Sequence, residues 1–124
     1  MVQCWFSFLL FGTVSTIVYR KSPPLGFKEV SALLVQQYNI ESRTTFLFRL
    51  ESAKPRRQWD PLSSKLQGFS LKIKETVCKG DPDTVDINKC AFKPNGVTKS
   101  CQGGYQYRAG LPKKVMTMIL CKTK

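Results

Sequence analysis

The chain has 124 residues, a length suited to one compact domain, and its 20 Lys and Arg against 8 Asp and Glu give a net charge of +12 and an isoelectric point near 9.8. Hydrophobic residues make up 42% and charged residues 23%, the composition of a folded rather than a disordered chain. There is no histidine, so the commonest general base, nucleophile partner and metal ligand are lost together; pancreatic-type ribonuclease, phospholipase and trypsin-like chemistries are excluded, and binding becomes the leading class.

No charged side chain occurs before Val18, and Trp5 to Val18 form an apolar run interrupted only by Ser7, Gly12, Thr13, Ser15 and Thr16. The run is short of the roughly 20 residues a membrane span needs. It reads as a secretory signal over 1–18, with cleavage shortly before Arg20, so the product is expected to be secreted or held in a secretory granule. No Lys or Arg precedes the apolar stretch and no Ala-x-Ala pattern marks the cut, which leaves an uncleaved anchor or a buried first strand as the alternative. The basic and acidic residues all follow Val18, so the mature domain, 19–124, keeps the full +12. An excess of that size is more than solubility requires, and it attracts phosphate-rich or sulfated partners through a salt-dependent field.

After the linker-like Ser22-Pro23-Pro24, apolar Phe27, Val30, Leu34 and Tyr38 recur at three- and four-residue steps, with Leu33 and Val35 widening the stripe. This predicts one amphipathic helix from Gly26 to Asn39, with Glu29 favourably placed in its first turn and Asn39 as terminator. Only Lys28 adds a cation to the polar face, so the stripe suits core packing better than a membrane-lying helix. Thr44 to Glu51 alternates, with Phe46, Phe48 and Leu50 on one face and Leu47, Arg49 and Glu51 on the other, as in a half-buried strand. Ala53 to Gln67 holds Pro55, Arg56, Arg57, Trp59 and Pro61 and reads as an exposed basic loop. Phe69, Leu71, Ile73 and Val77 then share one parity, with Ser70, Lys72, Lys74 and Thr76 opposite, predicting a second strand with its cations outward. Cys90 to Lys93 and Val97 to Cys101 flank the turn signal Pro94-Asn95-Gly96, and Val115 to Cys121 makes a last apolar strand. The pattern is α+β: one helix laid across four or five antiparallel strands.

Cys4 falls in the expected leader and leaves Cys78, Cys90, Cys101 and Cys121. In a secreted chain an even number implies two disulfides, and three connectivities are open. Near-equal steps of 12 and 11 residues, with no Cys-x-x-Cys pair, argue against zinc, and no metal or other cofactor is implied. There is no Asn-x-Ser/Thr sequon.

Lys74-Glu75-Thr76-Val77-Cys78, then Cys90-Ala91-Phe92-Lys93 and Gly96-Val97-Thr98-Lys99-Ser100-Cys101-Gln102-Gly103, resemble the cathelin domain of the cathelicidin precursors. Upstream, Tyr38-Asn39 and Leu47-Phe48-Arg49-Leu50-Glu51-Ser52-Ala53-Lys54-Pro55 are similar to that domain's helix end and first long strand, especially in the neutrophil-granule relatives of cathelicidins. The resemblance implies a cystatin-like fold, one long helix cradled by a curved antiparallel sheet, and sequential pairing of Cys78 with Cys90 and Cys101 with Cys121. It also implies a host-defence role. Cathelicidin precursors usually release a cationic peptide from beyond the last cysteine, where this sequence has only Lys122-Thr123-Lys124. Any antimicrobial activity is therefore expected of the folded domain, and a +12 balance, high for a cathelin domain, fits one that acts directly.

The expected function is adhesion to anionic bacterial membrane surfaces or lipopolysaccharide, and to other polyanions, with no catalytic group. Lys54, Arg56, Arg57 and Trp59 in the long loop are the first candidates, because arginine forks match phosphate oxygens and tryptophan suits the wet edge of a lipid layer. The other reading of the same residues folds Trp59 back on the sheet. Lys72, Lys74, Lys113 and Lys114 extend the patch, or form a solvated strand face. Inhibition of papain-like proteases is the competing function. The first-hairpin region, Ala53-Lys54-Pro55-Arg56-Arg57-Gln58-Trp59-Asp60, lacks the cystatin glutamine-x-valine-x-glycine motif. Gly26 and Leu111-Pro112-Lys113 are only partial substitutes for the other two inhibitory segments. A granule module that binds a protein partner is the third reading.

Overall fold

The computed structural model describes residues 14–54, 57–110 and 112–123. Its elements are β1 (Val14–Lys21), α1 (Phe27–Ser42), β2 (Phe48–Ala53), β3 (Gln67–Glu75), a 3-10 turn (Ile87–Lys89), β4 (Thr98–Arg108) and β5 (Lys114–Thr123). The strands form one antiparallel sheet in the order β1-β5-β4-β3-β2. α1 packs on one face of it, giving an α+β, cystatin-like fold with two disulfides. The three-and-four spacing of the helix turns Val30, Leu34 and Tyr38 onto Phe69, Leu71 and Ile73 of β3, Tyr105 of β4 and Val115 and Ile119 of β5. Cys101 and Cys121 are paired residues of β4 and β5, and their disulfide is buried in this core. Cys78 and Cys90 are joined outside the sheet, in the β3–β4 connection.

The helix runs past Asn39 to Ser42 and ends on Arg43, which takes the left-handed conformation at φ 52°. Asn39 does not terminate it. Its buried amide accepts from the Phe48 N–H and donates to the Phe48 carbonyl, both at 2.8 Å, so one helical side chain completes the hydrogen bonding of the first residue of β2. β2 begins later than the alternation suggested, because the Thr44–Leu47 stretch is held by other bonds: the Leu47 N–H donates to the Cys78 carbonyl at 2.9 Å, and the Leu47 carbonyl accepts from Thr76. The register shifts between Leu50 and Ser52, leaving Glu51 in a bulge.

β3 ends at Glu75, where the parity breaks. Thr76 is fully buried, with its hydroxyl donating to the Leu47 carbonyl at 2.7 Å, and Val77, expected inward, is 50% exposed. Cys90 to Lys93 is not a strand; Phe92 makes only an isolated bridge to Thr76. β4 runs 11 residues, straight through Gly103-Gly104 and well past the Val97 to Cys101 segment that the sequence marks. A Cβ on Gly103 would sit 2.5 Å from Leu34 Cδ1 and 2.9 Å from Phe69 Cζ, so the glycine is what allows α1 to lie against β4. The alternative to a leader is a buried first strand; β1 is a strand, but its Ile17 and Tyr19 are exposed. Residues 1–13 of the expected leader lie outside the described residues, whereas 14–18 pair with 117–121 of β5.

Candidate anion-binding surface

Because side chains alternate along a strand, the face of the sheet away from α1 is built from the residues left over by the core. Register fixes which of these are neighbours. Lys72 of β3 lies opposite Ser52 of β2 on one side and Ser100 of β4 on the other, and Ser100 lies opposite Lys122 of β5. One row along, Ser70 faces Gln102, and the Lys54 N–H donates to the Ser70 carbonyl at 3.1 Å. Lys54 and Lys72 thus line one groove. Near the other end, Lys114 of β5 lies between its register partners Lys21 of β1 and Arg108 of β4, with Lys113 beside it. Lys114 and Lys122 are eight positions apart on β5, about 27 Å at about 3.4 Å per residue. The sequence candidates therefore fall into two separate clusters.

The long loop is placed differently from its expected display. Arg56 lies outside the described residues, and Arg57 is exposed in a turn. Trp59 turns inward: its Nε1 donates to the Leu25 carbonyl at 3.2 Å, and its ring packs 5.4 Å from Phe27, 5.8 Å from Phe69 and 5.2 Å from Tyr105. Tyr105 ties the same loop down, its hydroxyl accepting from the Leu25 N–H at 2.9 Å and donating to the Pro61 carbonyl at 2.8 Å. Burial pushes that hydroxyl above its ordinary pKa of 10.0, against the opposing effect of the Leu25 bond. Lys74 is half-buried and shares the Phe92 ring with Arg49, at 5.8 and 5.0 Å. Gly26, considered as an inhibitory segment, is the N-cap of α1. Leu111 lies outside the described residues, while Pro112 and Lys113 are exposed.

Charge is sorted by side. β1, β4 and β5 contain no Asp or Glu. Glu75 of β3 pairs with Lys93 at 3.8 Å. Glu29 and Glu41 ride on α1, and Asp83 accepts from the Gln36 side chain of α1 at 3.0 Å, in a loop whose Pro82, Val85 and Ile87 adjoin the helix. Glu29, Glu41 and the Asp83 loop thus lie at the helix and Asp60 in the long loop, leaving the outer sheet face with Glu51 in its bulge and the two clusters of cations. The sequence reading overlooked Lys21, Arg108 and Lys122 on this face, together with Ser52, Ser70, Ser100 and Gln102. Alternation marks Ser70 as outward, but only the register brings these residues together.

Residues 24–118 match the sequence profile of the cathelicidins. The chain belongs to the cathelicidin family. It is 35% identical to Batroxicidin of Bothrops atrox over 117 residues, 94% of this chain and 60% of that one. With Lutzicidin of Bothrops lutzi it shares 36% over 110 residues, covering 89% of this chain and 56% of the relative. With the cathelicidin-related peptide Oh-Cath of Ophiophagus hannah it shares 34% over 109 residues, 88% and 55%. The chain therefore spans a little over half the length of these curated cathelicidin relatives. The cathelicidin match takes in α1, β2, β3, β4 and the first half of β5; β1 and Lys122 lie outside it.

Proposed function

We propose that this cathelicidin is a secreted host-defence protein whose folded domain itself adheres to anionic bacterial surfaces, lipopolysaccharide above all. The observation that carries the reading is the distribution of charge: the outer face of β3, β4 and β5 presents Lys72, Lys114 and Lys122 with no carboxylate on β4 or β5, while Glu29, Glu41 and Asp83 lie at α1. Near an anionic leaflet each such cation contributes on the order of 1 kcal/mol, and the field fades over a Debye length of about 8–10 Å at ordinary salt. A rigid sheet can bring several cations to a flat surface at once without ordering a disordered chain. Export is part of the proposal and is supported by the uncharged apolar start, 1–18; among the described residues no helix is long and apolar enough to cross a membrane.

The test is titration of the protein against vesicles containing lipopolysaccharide, and against zwitterionic vesicles, at about 20 and about 150 mM salt. Preferential binding to the anionic vesicles, weakened several-fold by the added salt, is the expected result. Equal binding to both vesicle types, or indifference to salt, would overturn it.

A further inference from the structure

We propose that the groove between Lys54 and Lys72 on the outer sheet face is a site for a phosphate monoester, the group carried by the phosphorylated glucosamine headgroup of lipopolysaccharide. This rests on the anionic-surface reading above and gives it a place and a chemistry. The groove holds about 220 Å³, less than the roughly 300–1,000 Å³ that encloses a whole drug-sized ligand, so it suits a headgroup rather than a lipid. Its rim carries the two ammonium groups, the hydroxyls of Ser52, Ser70 and Ser100, and the Gln102 amide. All can donate hydrogen bonds, and a tetrahedral oxyanion is what they fit.

Three features together favour this groove. First, its lysines are uncompensated, as Lys113 and Lys114 are: among the described residues neither has an ion pair, whereas Lys93 is paired with Glu75 and Lys99 lies over the Tyr38 and Phe48 rings. Second, the donors are aimed. The Gln102 amide donates to Ser70 Oγ at 3.1 Å, which occupies an acceptor site of that hydroxyl and leaves its proton for the ligand. The hydroxyls of Ser52 and Ser100 have no hydrogen-bond partner among the described residues. Third, the base is rigid. It is formed by Leu71 and Cys101, both 3% exposed and opposite each other in β3 and β4, and Cys101 is bonded to Cys121 of β5. Glu51, in the neighbouring bulge, does not line the groove.

The experiment compares the full chain with two double variants that lose the same charge, Lys54→Gln/Lys72→Gln in the groove and Lys113→Gln/Lys114→Gln at the far end of the face. Binding to lipopolysaccharide vesicles is expected to weaken in both, and about tenfold or more further in the first than in the second. Ser70→Ala/Ser100→Ala, which keeps every charge, is expected to weaken it about threefold or more. Free glucosamine 1-phosphate, added to labelled wild-type protein, is expected to shift the amide resonances of Ser70, Ser100 and Gln102 but not those of Lys113 and Lys114, separating the headgroup from the lipid surface as the source of binding. Equal weakening by the two lysine pairs would leave a diffuse electrostatic surface and overturn the groove while the broader reading stands. Displacement of the sugar phosphate by equimolar heparin at the same resonances would reassign the ligand as a sulfate and overturn the phosphate assignment. Absence of wild-type binding to the vesicles would remove both readings.

Discussion

Gly103 lies against Leu34 of the helix with no room for a side chain, and replacing it by alanine measures how tight that packing is. Apolar carbons normally meet at about 3.5–4.0 Å. The new methyl would lie 2.5 Å from Leu34 Cδ1, 2.9 Å from Phe69 Cζ and 3.2 Å from Leu71 Cδ2, all on buried side chains with little room to retreat. Overpacking of this kind costs about 1–3 kcal/mol, while alanine restricts the unfolded chain and returns about 0.4–1 kcal/mol. The expected net loss is about 1–2 kcal/mol, a fall of roughly 4–10 °C in the melting temperature of a domain this size. Thermal and urea unfolding of the oxidised protein, followed by circular dichroism, reads it directly. A second arm isolates the cause. In a Leu34→Ala background the shortest clash, with Cδ1, is gone and Phe69 and Leu71 gain space to relax, so Gly103→Ala should cost clearly less, a coupling of about 1 kcal/mol in a double-mutant cycle. Gly104→Ala, whose methyl would meet Met118 Cγ at 2.9 Å and Leu66 Cδ1 at 3.2 Å, both on partly exposed side chains with room to shift, should change stability less. If Gly103→Ala melts with the wild type, or its effect is the same with and without Leu34, the account of α1 resting on a bare stretch of β4 is wrong.

Asn39→Leu removes both bonds to Phe48 and strands a buried N–H and C=O, so a loss of about 2–4 kcal/mol is expected in urea unfolding, larger than that of Gln36→Leu on the exposed rim of the same helix. Tyr105 binds its proton more tightly folded than unfolded, so its contribution is complete below pH 10 and lost as pH rises through the raised folded value; Tyr105→Phe should flatten that alkaline decline while lowering stability at neutral pH by about 1–2 kcal/mol. Loop closure alone gives the Cys78–Cys90 and Cys101–Cys121 bonds nearly equal values, about 2.9 and about 3.3 kcal/mol for separations of 12 and 20 residues. Alanine pairs should nevertheless differ in thermal unfolding, the Cys101/Cys121 pair losing more because it also empties space in the core. Trp59 fluorescence should be blue-shifted in the free protein and respond little to lipopolysaccharide vesicles, since the indole is occupied by Leu25, Phe27 and Tyr105; a large shift on binding would mean that the loop opens.

Periodicity made α1 and most of β3 legible, because each buries one face along its length and the sequence repeats accordingly. What periodicity hides is contact between distant segments. Gly103-Gly104 looks like an interruption until Leu34 is placed above it, so the middle of β4 could not be read. Asn39 looks like a helix terminator until its amide is seen serving Phe48. Val77 keeps the parity of Ile73 in sequence but loses it in space, because Thr76 spends its hydroxyl on Leu47 and ends the strand. The site follows the same rule. Lys54 and Lys72 could be named from composition and alternation, but their meeting over Ser52, Ser70 and Ser100 depends on the Glu51 bulge and the β3–β4 register, neither of which leaves a mark in a single sequence. Trp59 could be read either way because a tryptophan among prolines and arginines carries no signal of which side its ring will take.

The flank formed by β1 gives the position of any leader cleavage a mechanical meaning. β1 is in register with β5 from Val14–Cys121 to Lys21–Lys114, and scission after Val18 would take away five of those eight pairings, sparing only Tyr19, Arg20 and Lys21. The stretch of β5 from Thr117 to Cys121 would then become a bare margin of the sheet, with amide and carbonyl groups open to a strand from another molecule. Scission upstream of Val14 would keep the margin sealed, so the position of such a cut would set whether the product has a closed flank or a seam along which copies could zip together.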